Sequence, residues 1–242
     1  MLLLDRMGRS KTFHFKQFDV LNDKTAMKVG TDGVLLGAWC NVSGARRVLD
    51  VGTGCGVIAL MVAQRNPDAS VLGIDIDASG VEEASYNFAH SPWGDRLEAR
   101  CVDFNDLDFS AVFDLVVSNP PFFTCGVLPP NQKRLNARHT RMLTFESLII
   151  GAKKMLRPQG RLALVTPCES HKEIIELCTF NSLNISRITE VISVKGASPK
   201  RLLWEITSSR CTLETDCITI EDAPGQFNEH YIDLCHDFYL KF

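Results

Sequence analysis

The sequence predicts an α/β fold with a doubly wound, mostly parallel sheet and helices on both faces. Two observations carry this prediction. Beyond Arg47, short runs of β-branched residues alternate with segments whose apolar residues recur at helical spacing, a pattern typical of βαβ units. The first run leads into a glycine cluster, residues 50–56 (DVGTGCG), which a helical pattern follows. The composition agrees, because 242 residues with 45% hydrophobic and 23% charged side chains are typical of one globular domain.

The predicted elements follow one another without internal repeats or low-complexity segments. Strands are predicted over residues 47–52, 70–75, 97–103, 113–119, 160–167, 185–195 and 200–209. Helices are predicted after the first two strands and over residues 145–156 and 169–180, and Pro158 and Gly160 end the third helix. Residues 46–242 form the predicted domain, and residues 1–45 form an N-terminal extension.

Composition also restricts the class of protein. The nine cysteines are an odd number, scattered singly without a CxxC pair, which predicts free thiols in a reducing cytoplasm. No apolar run approaches the length of a membrane span, and the histidines and cysteines show no metal-ligand spacing. We therefore expect a cytoplasmic protein without a membrane segment or a metal site, and no obligate protein partner is evident.

The glycine cluster is the first candidate binding element. An open α/β sheet places its ligand beyond the carboxyl ends of its strands, and glycines there permit a tight turn and a close approach of the backbone to the ligand. Asp50, Gly52, Gly54 and Gly56 are the candidate cofactor contacts. The spacing is GxGxG, which departs from the GxGxxG fingerprint of dinucleotide-binding proteins.

Acidic residues at the ends of the next two strands predict the kind of cofactor. Asp75 lies 19 residues after Gly56, where a carboxylate can accept hydrogen bonds from both ribose hydroxyls. Asp103 can accept a hydrogen bond from an exocyclic amine, and Asp77 is the expected cap of the next helix. Asp50, Asp75 and Asp103 thus place three acids around one crevice. Their negative charges repel a pyrophosphate but suit a cationic sulfonium. The crevice therefore favours S-adenosylmethionine over NAD.

The fourth strand ends in Ser118-Asn119-Pro120-Pro121-Phe122, which suggests how an amine could be activated. The two prolines hold the backbone after Asn119 extended. The side-chain oxygen of Asn119 and the carbonyl of Pro120 can then each accept one hydrogen from a planar NH₂ group. This arrangement turns the nitrogen lone pair toward an incoming methyl group, an interaction that strengthens in the transition state. Phe122 offers a ring on which the target base can stack.

A basic segment begins at the end of this Asn-Pro-Pro-Phe tetrapeptide. Residues 121–141 contain four cations and no acid, and these cations could bind phosphates beside a splayed-out base. Charges of a solvated loop are the alternative interpretation. The candidate RNA contacts are Phe122, Phe123, Lys133, Arg134, Arg138 and Arg141.

DVGTGCG, the strand-ending Asp75 and SNPPFF together resemble the class I S-adenosylmethionine-dependent amino-methyltransferases. Three further segments, KQFDVLNDKTAMKVGTDGVLLGAW, NFAHSPWGDR and YIDLCHDFYLKF, resemble the bacterial tRNA1(Val) adenine-N6 methyltransferases. The resemblance extends from about Phe13 to Phe242. It implies a Rossmann-like sheet of seven strands with the last one antiparallel, S-adenosylmethionine as donor, and N6 of adenosine 37 in tRNA as acceptor. Phe122 stands where relatives often carry Tyr.

The resemblance also implies that the N-terminal extension packs over the cofactor site. Residues 28–33 (KVGTDG) would cover the methionine end of the cofactor, with Lys28 and Thr31 as contacts. The alternative is that Thr31 or Asp32 only caps the helix that follows.

Other functions stay open from the sequence. An NPPF-like tetrapeptide also suits N2-guanine methylation of ribosomal RNA or glutamine methylation of a protein. An NAD-dependent oxidoreductase is disfavoured by the glycine spacing, and an RNA-binding module without catalysis would need only the basic segments.

Overall fold

The computed structural model describes residues 11–25, 27–108, 110–121 and 143–242. Its strands are β1 (Thr12–His14), β2 (Asp19–Leu21), β3 (Arg47–Val51), β4 (Ser70–Asp75), β5 (Leu97–Cys101), β6 (Phe113–Ser118), β7 (Leu156–Pro167), β8 (Asn184–Val194), β9 (Arg201–Thr207), β10 (Glu214–Ala223) and β11 (Gln226–Phe227). Its helices are α1 (Thr31–Trp39), α2 (Val57–Arg65), α3 (Ala78–Ala89), α4 (Phe145–Met155), α5 (His171–Phe180) and α6 (Glu229–Cys235).

Nine of these strands form one sheet in the order β11-β10-β8-β9-β7-β6-β3-β4-β5. β3 lies between β4 and β6 and is parallel to both. In chain order, β3, β4 and β5 follow one another toward one edge of the sheet. The next strands, β6 and β7, lie on the other side of β3. The order therefore reverses between β3 and β6, and an open α/β sheet binds its ligand at such a reversal.

The predicted fold class is confirmed, and the number of strands is corrected. β9 is the expected antiparallel strand, and it lies between β7 and β8. The sheet has nine strands where seven were expected, because β10 adds beside β8 and β11 pairs with β10. Only Ile218 of β10 is buried, so the apolar alternation of this strand is too short to be recognised in the sequence.

Helices cover both faces of the sheet, and each face has its own hydrophobic cluster. Buried residues of α1, α2, α3 and α6 belong to one cluster, and those of α4 and α5 belong to the other. α1 and α2 pack closely, since a Cβ atom on Gly37 would lie 2.7 Å from the Met61 sulfur.

The described part of residues 1–45 shares the first cluster with α2. Phe15, Phe18 and Val20 are buried in it together with most of α1. Among the described residues, no helix is long and apolar enough to cross a membrane.

Candidate active site

The ends of β3 and β6 form the centre of the candidate site. Val51 pairs with Ser118, and the Ser118 hydroxyl donates to the Val51 carbonyl at 2.8 Å. Gly52 and Asn119 are the next residues on these two strands. The glycine loop and the Asn-Pro-Pro segment therefore leave the sheet side by side, at the point where the strand order reverses.

The three glycines of the loop have positive φ angles but different surroundings. The φ angles of Gly52, Gly54 and Gly56 are 72°, 54° and 85°, values that residues other than glycine rarely adopt. A Cβ atom on Gly52 or Gly54 would meet nothing within 4 Å, whereas one on Gly56 would lie 2.4 Å from the Phe88 ring. Gly52 and Gly54 thus border open space for a ligand, and Gly56 lets α2 begin against α3.

Asp50 is a buried carboxylic acid just before this loop. Its side chain is fully buried, and Oδ2 accepts a hydrogen bond from the Thr53 hydroxyl at 2.7 Å. Oδ1 makes no hydrogen bond of normal geometry to the described residues. Burial raises the pKa of Asp50 to about 7, although the Thr53 hydroxyl lowers it. The end of β3 thus contains an acid that is half protonated near neutral pH.

Asp75 and Asp103 lie together at the ends of β4 and β5. Asp75 Oδ2 accepts from the Gly54 amide at 2.9 Å and Oδ1 accepts from the Asp77 amide at 2.9 Å. The Val102 amide donates to the Asp75 carbonyl at 3.0 Å, which places Asp103 beside this corner. Asp103 Oδ1 accepts from the backbone and side-chain nitrogens of Asn105. The Asp75 carboxylate therefore borders the glycine loop, and Asp103 follows the end of the neighbouring strand β5.

Asp77 has the role that the sequence predicts. Its side chain accepts a hydrogen bond from the Ser79 amide at 3.0 Å and caps α3. This cap fixes the start of α3 next to Asp75.

Asn119 presents an unpaired acceptor. Its Nδ2 donates to the Met27 sulfur at 3.6 Å, while Oδ1 is buried and has no hydrogen-bond partner in the described structure. Buried side-chain oxygens without a partner are rare in folded proteins. Pro120 is buried and Pro121 is exposed. An amine hydrogen supplied by a substrate would satisfy Oδ1.

Residues 28–33 reach the same site from the N-terminal side. A Cβ atom on Gly33 would lie 3.7 Å from Val57 Cγ1 and 3.8 Å from Asn119 Nδ2. The first turn of α1 therefore packs between the end of β6 and the start of α2.

The prediction that Thr31 or Asp32 caps α1 is wrong. Gly30 is the N-cap residue, and no side chain caps the helix. Thr31 is the first helical residue, and Asp32 instead forms an ion pair with Arg201 at 2.8 Å, which ties α1 to β9. The Lys28 ammonium donates to the carbonyls of Asn22 and Asp23 at 3.1 and 2.9 Å.

The candidate RNA contacts Phe122, Phe123, Lys133, Arg134, Arg138 and Arg141 lie outside the described residues. Within the described ranges, no group of three or more His, Cys, Asp or Glu side chains is placed to hold a metal ion. The eight cysteines described are all free.

Sequence reasoning missed Glu83, which binds the backbone of residues 23–25 shortly before the 28–33 segment. This buried carboxylate accepts hydrogen bonds from the amides of Asp23, Lys24 and Thr25 and from the Thr25 hydroxyl. Burial raises the pKa of Glu83, but the three amides lower it more, so the pKa lies below its ordinary value. The available signal was helical spacing, which places position 83 on the same face as the apolar Ala84 and Phe88.

Comparison with known proteins identifies the family of this chain. The model of the methyltransferase small domain family matches residues 28–184, which include α1, the glycine loop and the Asn-Pro-Pro segment. A Phocaeicola vulgatus protein named tRNA1(Val) (adenine(37)-N6)-methyltransferase is 42% identical over 231 residues, or 95% of this chain and 97% of that protein. A Vibrio vulnificus protein of the same name is 36% identical over 233 residues, or 96% and 97% of the two chains.

Solved structures show the same fold at lower identity. A crystal structure titled as a predicted O-methyltransferase from Agrobacterium tumefaciens has a TM-score of 0.67 at 22% identity, and the match covers 86% of this chain and 96% of that one. This likeness concerns the fold. The sequence matches establish the family. The chain belongs to the methyltransferase small domain family and, within it, to the tRNA1(Val) (adenine(37)-N6)-methyltransferases.

Proposed function

We propose that this protein transfers a methyl group from S-adenosylmethionine to N6 of an adenosine in tRNA, and that the acceptor is adenosine 37 of tRNA1(Val). The observation that carries the proposal is the buried, unpaired Oδ1 of Asn119 beside an open glycine loop. The relatives' names supply the tRNA and the position of the nucleotide.

The residues at the ends of β3, β4 and β5 fit the cofactor. Gly52 and Gly54 leave space for it, and Asp75 and Asp103 offer carboxylate oxygens to a ribose and to an adenine amine. Asp50 and the 28–33 segment with Lys28 and Thr31 would border its methionine end. When bound, S-adenosylmethionine supplies an electrophilic methyl group on a sulfonium.

Asn119 and Pro120 would orient the acceptor amine. The side-chain oxygen and the backbone carbonyl each accept one N–H hydrogen of the adenine amine, and they hold both hydrogens as the nitrogen becomes pyramidal. The nitrogen lone pair then forms the N–C bond while the C–S bond breaks and its electron pair passes to sulfur. The methylated nitrogen loses one proton to water, so no side chain has to act as a base.

The flanking residues would bind the RNA. The adenine has to leave its stack for N6 to come within bonding distance of the methyl group. Phe122 and Phe123 would stack on the extruded base, and Lys133, Arg134, Arg138 and Arg141 would bind neighbouring phosphates. The cytoplasm, where tRNA and reducing conditions coexist, is the proposed location, and free cysteines suit it.

Incubation of the protein with labelled S-adenosylmethionine and tRNA from cells that lack it tests the proposal. We expect label in N6-methyladenosine of one tRNA, located by nucleoside mass spectrometry. Asn119→Ala should lower turnover by a factor of about 100 or more, since it removes an interaction that strengthens in the transition state. Its affinity for the cofactor should stay near that of the wild type. Label in N2-methylguanosine or in protein would replace the proposed substrate, and full turnover by Asn119→Ala would refute the mechanism.

A further inference from the structure

The contact between Met27 and Asn119 suggests a role for a residue that the proposed function leaves unused. Met27 is 47% exposed, yet its sulfur lies 3.6 Å from Asn119 Nδ2, and both residues adjoin the first turn of α1. The two residues are 92 positions apart in the chain, so this contact exists only in the folded protein.

The amide of Asn119 has two orientations that differ by a half-turn about its last bond. One presents Oδ1 to the substrate amine and the other presents Nδ2. Only the first orientation can accept an N–H hydrogen, because the amide nitrogen is purely a donor. A neighbour that distinguishes the two ends of this amide therefore affects the reaction.

A thioether is such a neighbour. Its sulfur is a weak acceptor and carries no donor, so it stabilises the Asn119 NH₂ group beside it and offers nothing to Oδ1. Oδ1 itself has no donor partner in the described structure, so no hydrogen bond to this oxygen sets the orientation of the amide instead. On this basis we propose that Met27 is a positioning residue, whose sulfur sets the side-chain amide of Asn119 with Oδ1 free for the substrate amine. The inference rests on the proposed function.

The backbone before Met27 is anchored to α3, and the Lys28 side chain folds back onto it. The Glu83 carboxylate accepts hydrogen bonds from the three backbone amides of residues 23–25. The Lys28 ammonium donates hydrogen bonds to the carbonyls of Asn22 and Asp23. Asn87, one helical turn after Glu83, exchanges two hydrogen bonds with the backbone of Leu21 at 2.8 and 2.9 Å. The backbone is thus fixed up to Thr25, two residues before Met27, which favours a positioning role.

The same helix, α3, also connects this segment to the glycine loop. Asn87 Nδ2 also donates to the Cys55 carbonyl at 2.8 Å, within the glycine loop. A Cβ atom on Gly80 would lie 3.3 Å from Thr25 Cγ2 and 3.4 Å from the Gly54 carbonyl. The Met27 segment, the glycine loop and α3 therefore form one packed unit beside Asn119.

Isosteric replacement of the sulfur tests the inference. The full-length protein is produced with norleucine, which has a methylene in place of sulfur, or with selenomethionine, which keeps a chalcogen acceptor. Turnover is measured with S-adenosylmethionine and unmodified tRNA1(Val) transcript. We expect norleucine to lower kcat about 3- to 10-fold, the effect of losing one ordinary hydrogen bond. Selenomethionine should keep kcat within about twofold of the wild type, a smaller change than the loss of that bond would cause.

Met27→Leu isolates the position among the six methionines of the chain. This variant should lose as much kcat as the norleucine protein, and norleucine labelling of Met27→Leu should cause no further loss. The Kd for S-adenosylmethionine and the melting temperature should match those of the wild type. A role in packing or in cofactor binding would instead change these two quantities.

Two results would overturn the inference. One is an unchanged kcat for norleucine protein and Met27→Leu, and the other is a loss confined to cofactor affinity. Asn119→Ala is measured in parallel to separate the two proposals. If Asn119→Ala is inactive while Met27→Leu is fully active, only the inference about Met27 fails. If Asn119→Ala keeps its turnover, the proposed role of Asn119 fails, whereas the proposed function fails if the wild type itself does not methylate the tRNA.

Discussion

The Gly54 amide donates to Asp75 Oδ2 at 2.9 Å, so the acid at the end of β4 holds the glycine loop at the end of β3. The other oxygen of the same carboxylate accepts the Asp77 amide at 2.9 Å. Asp75 therefore combines two roles. It fixes the backbone that borders the cofactor, and it keeps lone pairs for a ligand on the open side.

Asp75→Asn should be more damaging than its similarity in shape suggests. The substituted amide can accept from only one of the two backbone N–H groups and turns a donor toward the other. We expect the Kd for S-adenosylmethionine, measured by calorimetry, to rise about 10-fold or more.

Asp77→Asn is the matched control for this change, because asparagine caps a helix as well as aspartate does. Its Kd should stay within about twofold of the wild type, since the cap is kept. Equal affinities of Asp75→Asn and the wild type would show that the Asp75 carboxylate does not hold the loop.

Glu83→Gln should destabilise the protein. Each N–H group of residues 23–25 that loses its carboxylate acceptor has to be buried unpaired or exposed by a local rearrangement. We expect a loss of about 1–3 kcal/mol in the free energy of unfolding, measured by urea titration.

The neighbouring Glu82 provides the control. Glu82 forms an exposed ion pair with Lys24, and Glu82→Gln should change stability by less than about 1 kcal/mol. A loss for Glu82→Gln equal to that for Glu83→Gln would mean that charge, and not the buried hydrogen bonds, stabilises the segment.

Asp50 should make stability depend on pH. Its pKa is about 7 in the folded protein against an ordinary value of 3.8, so the folded state binds more protons between these values. The contribution of Asp50 to the free energy of unfolding is therefore largest at low pH and declines as the pH rises toward 7.

Asp50→Asn lacks this contribution. The melting temperature of the variant relative to the wild type should rise by about 10 °C between about pH 4 and pH 7 and level off above. Calorimetric scans across this pH range check the expectation. Parallel pH profiles for the two proteins would contradict the raised pKa.

Lys195 and Lys200 should contribute to tRNA binding if the proposed function is correct. β8 is antiparallel to β9 and so points the same way as β7, which places the loop after β8 at the edge of the sheet that carries the candidate site. Both lysines are exposed there, and the adjacent Arg201 pairs with Asp32. Replacing both with alanine should weaken tRNA binding and lower the slope of log K against log salt by about 1 per lost phosphate contact.

Lys154 serves as the control for this pair. It is an exposed lysine in the last turn of α4, near the start of β6 at the opposite edge of the sheet. Lys154→Ala should leave tRNA affinity unchanged. An equal loss for Lys154→Ala would indicate a general effect of surface charge and not a local contact of Lys195 and Lys200 with the tRNA.

The sequence by itself determined the alternation of strands and helices, the glycine loop, and the polar residues at the ends of β4 and β6. These features are local, because a strand, a turn and a helix start each leave their periodicity or turn residues within a short segment. The seven strands predicted from Arg47 onward all begin and end within a few residues of their predicted bounds. Asp77 caps α3 as its position predicts.

Only the tertiary structure decided how these pieces interact. Glu83 binds backbone about 60 positions away, Asp32 pairs with Arg201, and Met27 meets Asn119, and none of these partners is marked in the sequence. β10 escaped prediction because only Ile218 of this strand is buried, which leaves too little apolar alternation to mark a strand. Side-chain pairing, burial and the resulting pKa of Asp50 depend on which surfaces come together, and chain order alone does not specify them.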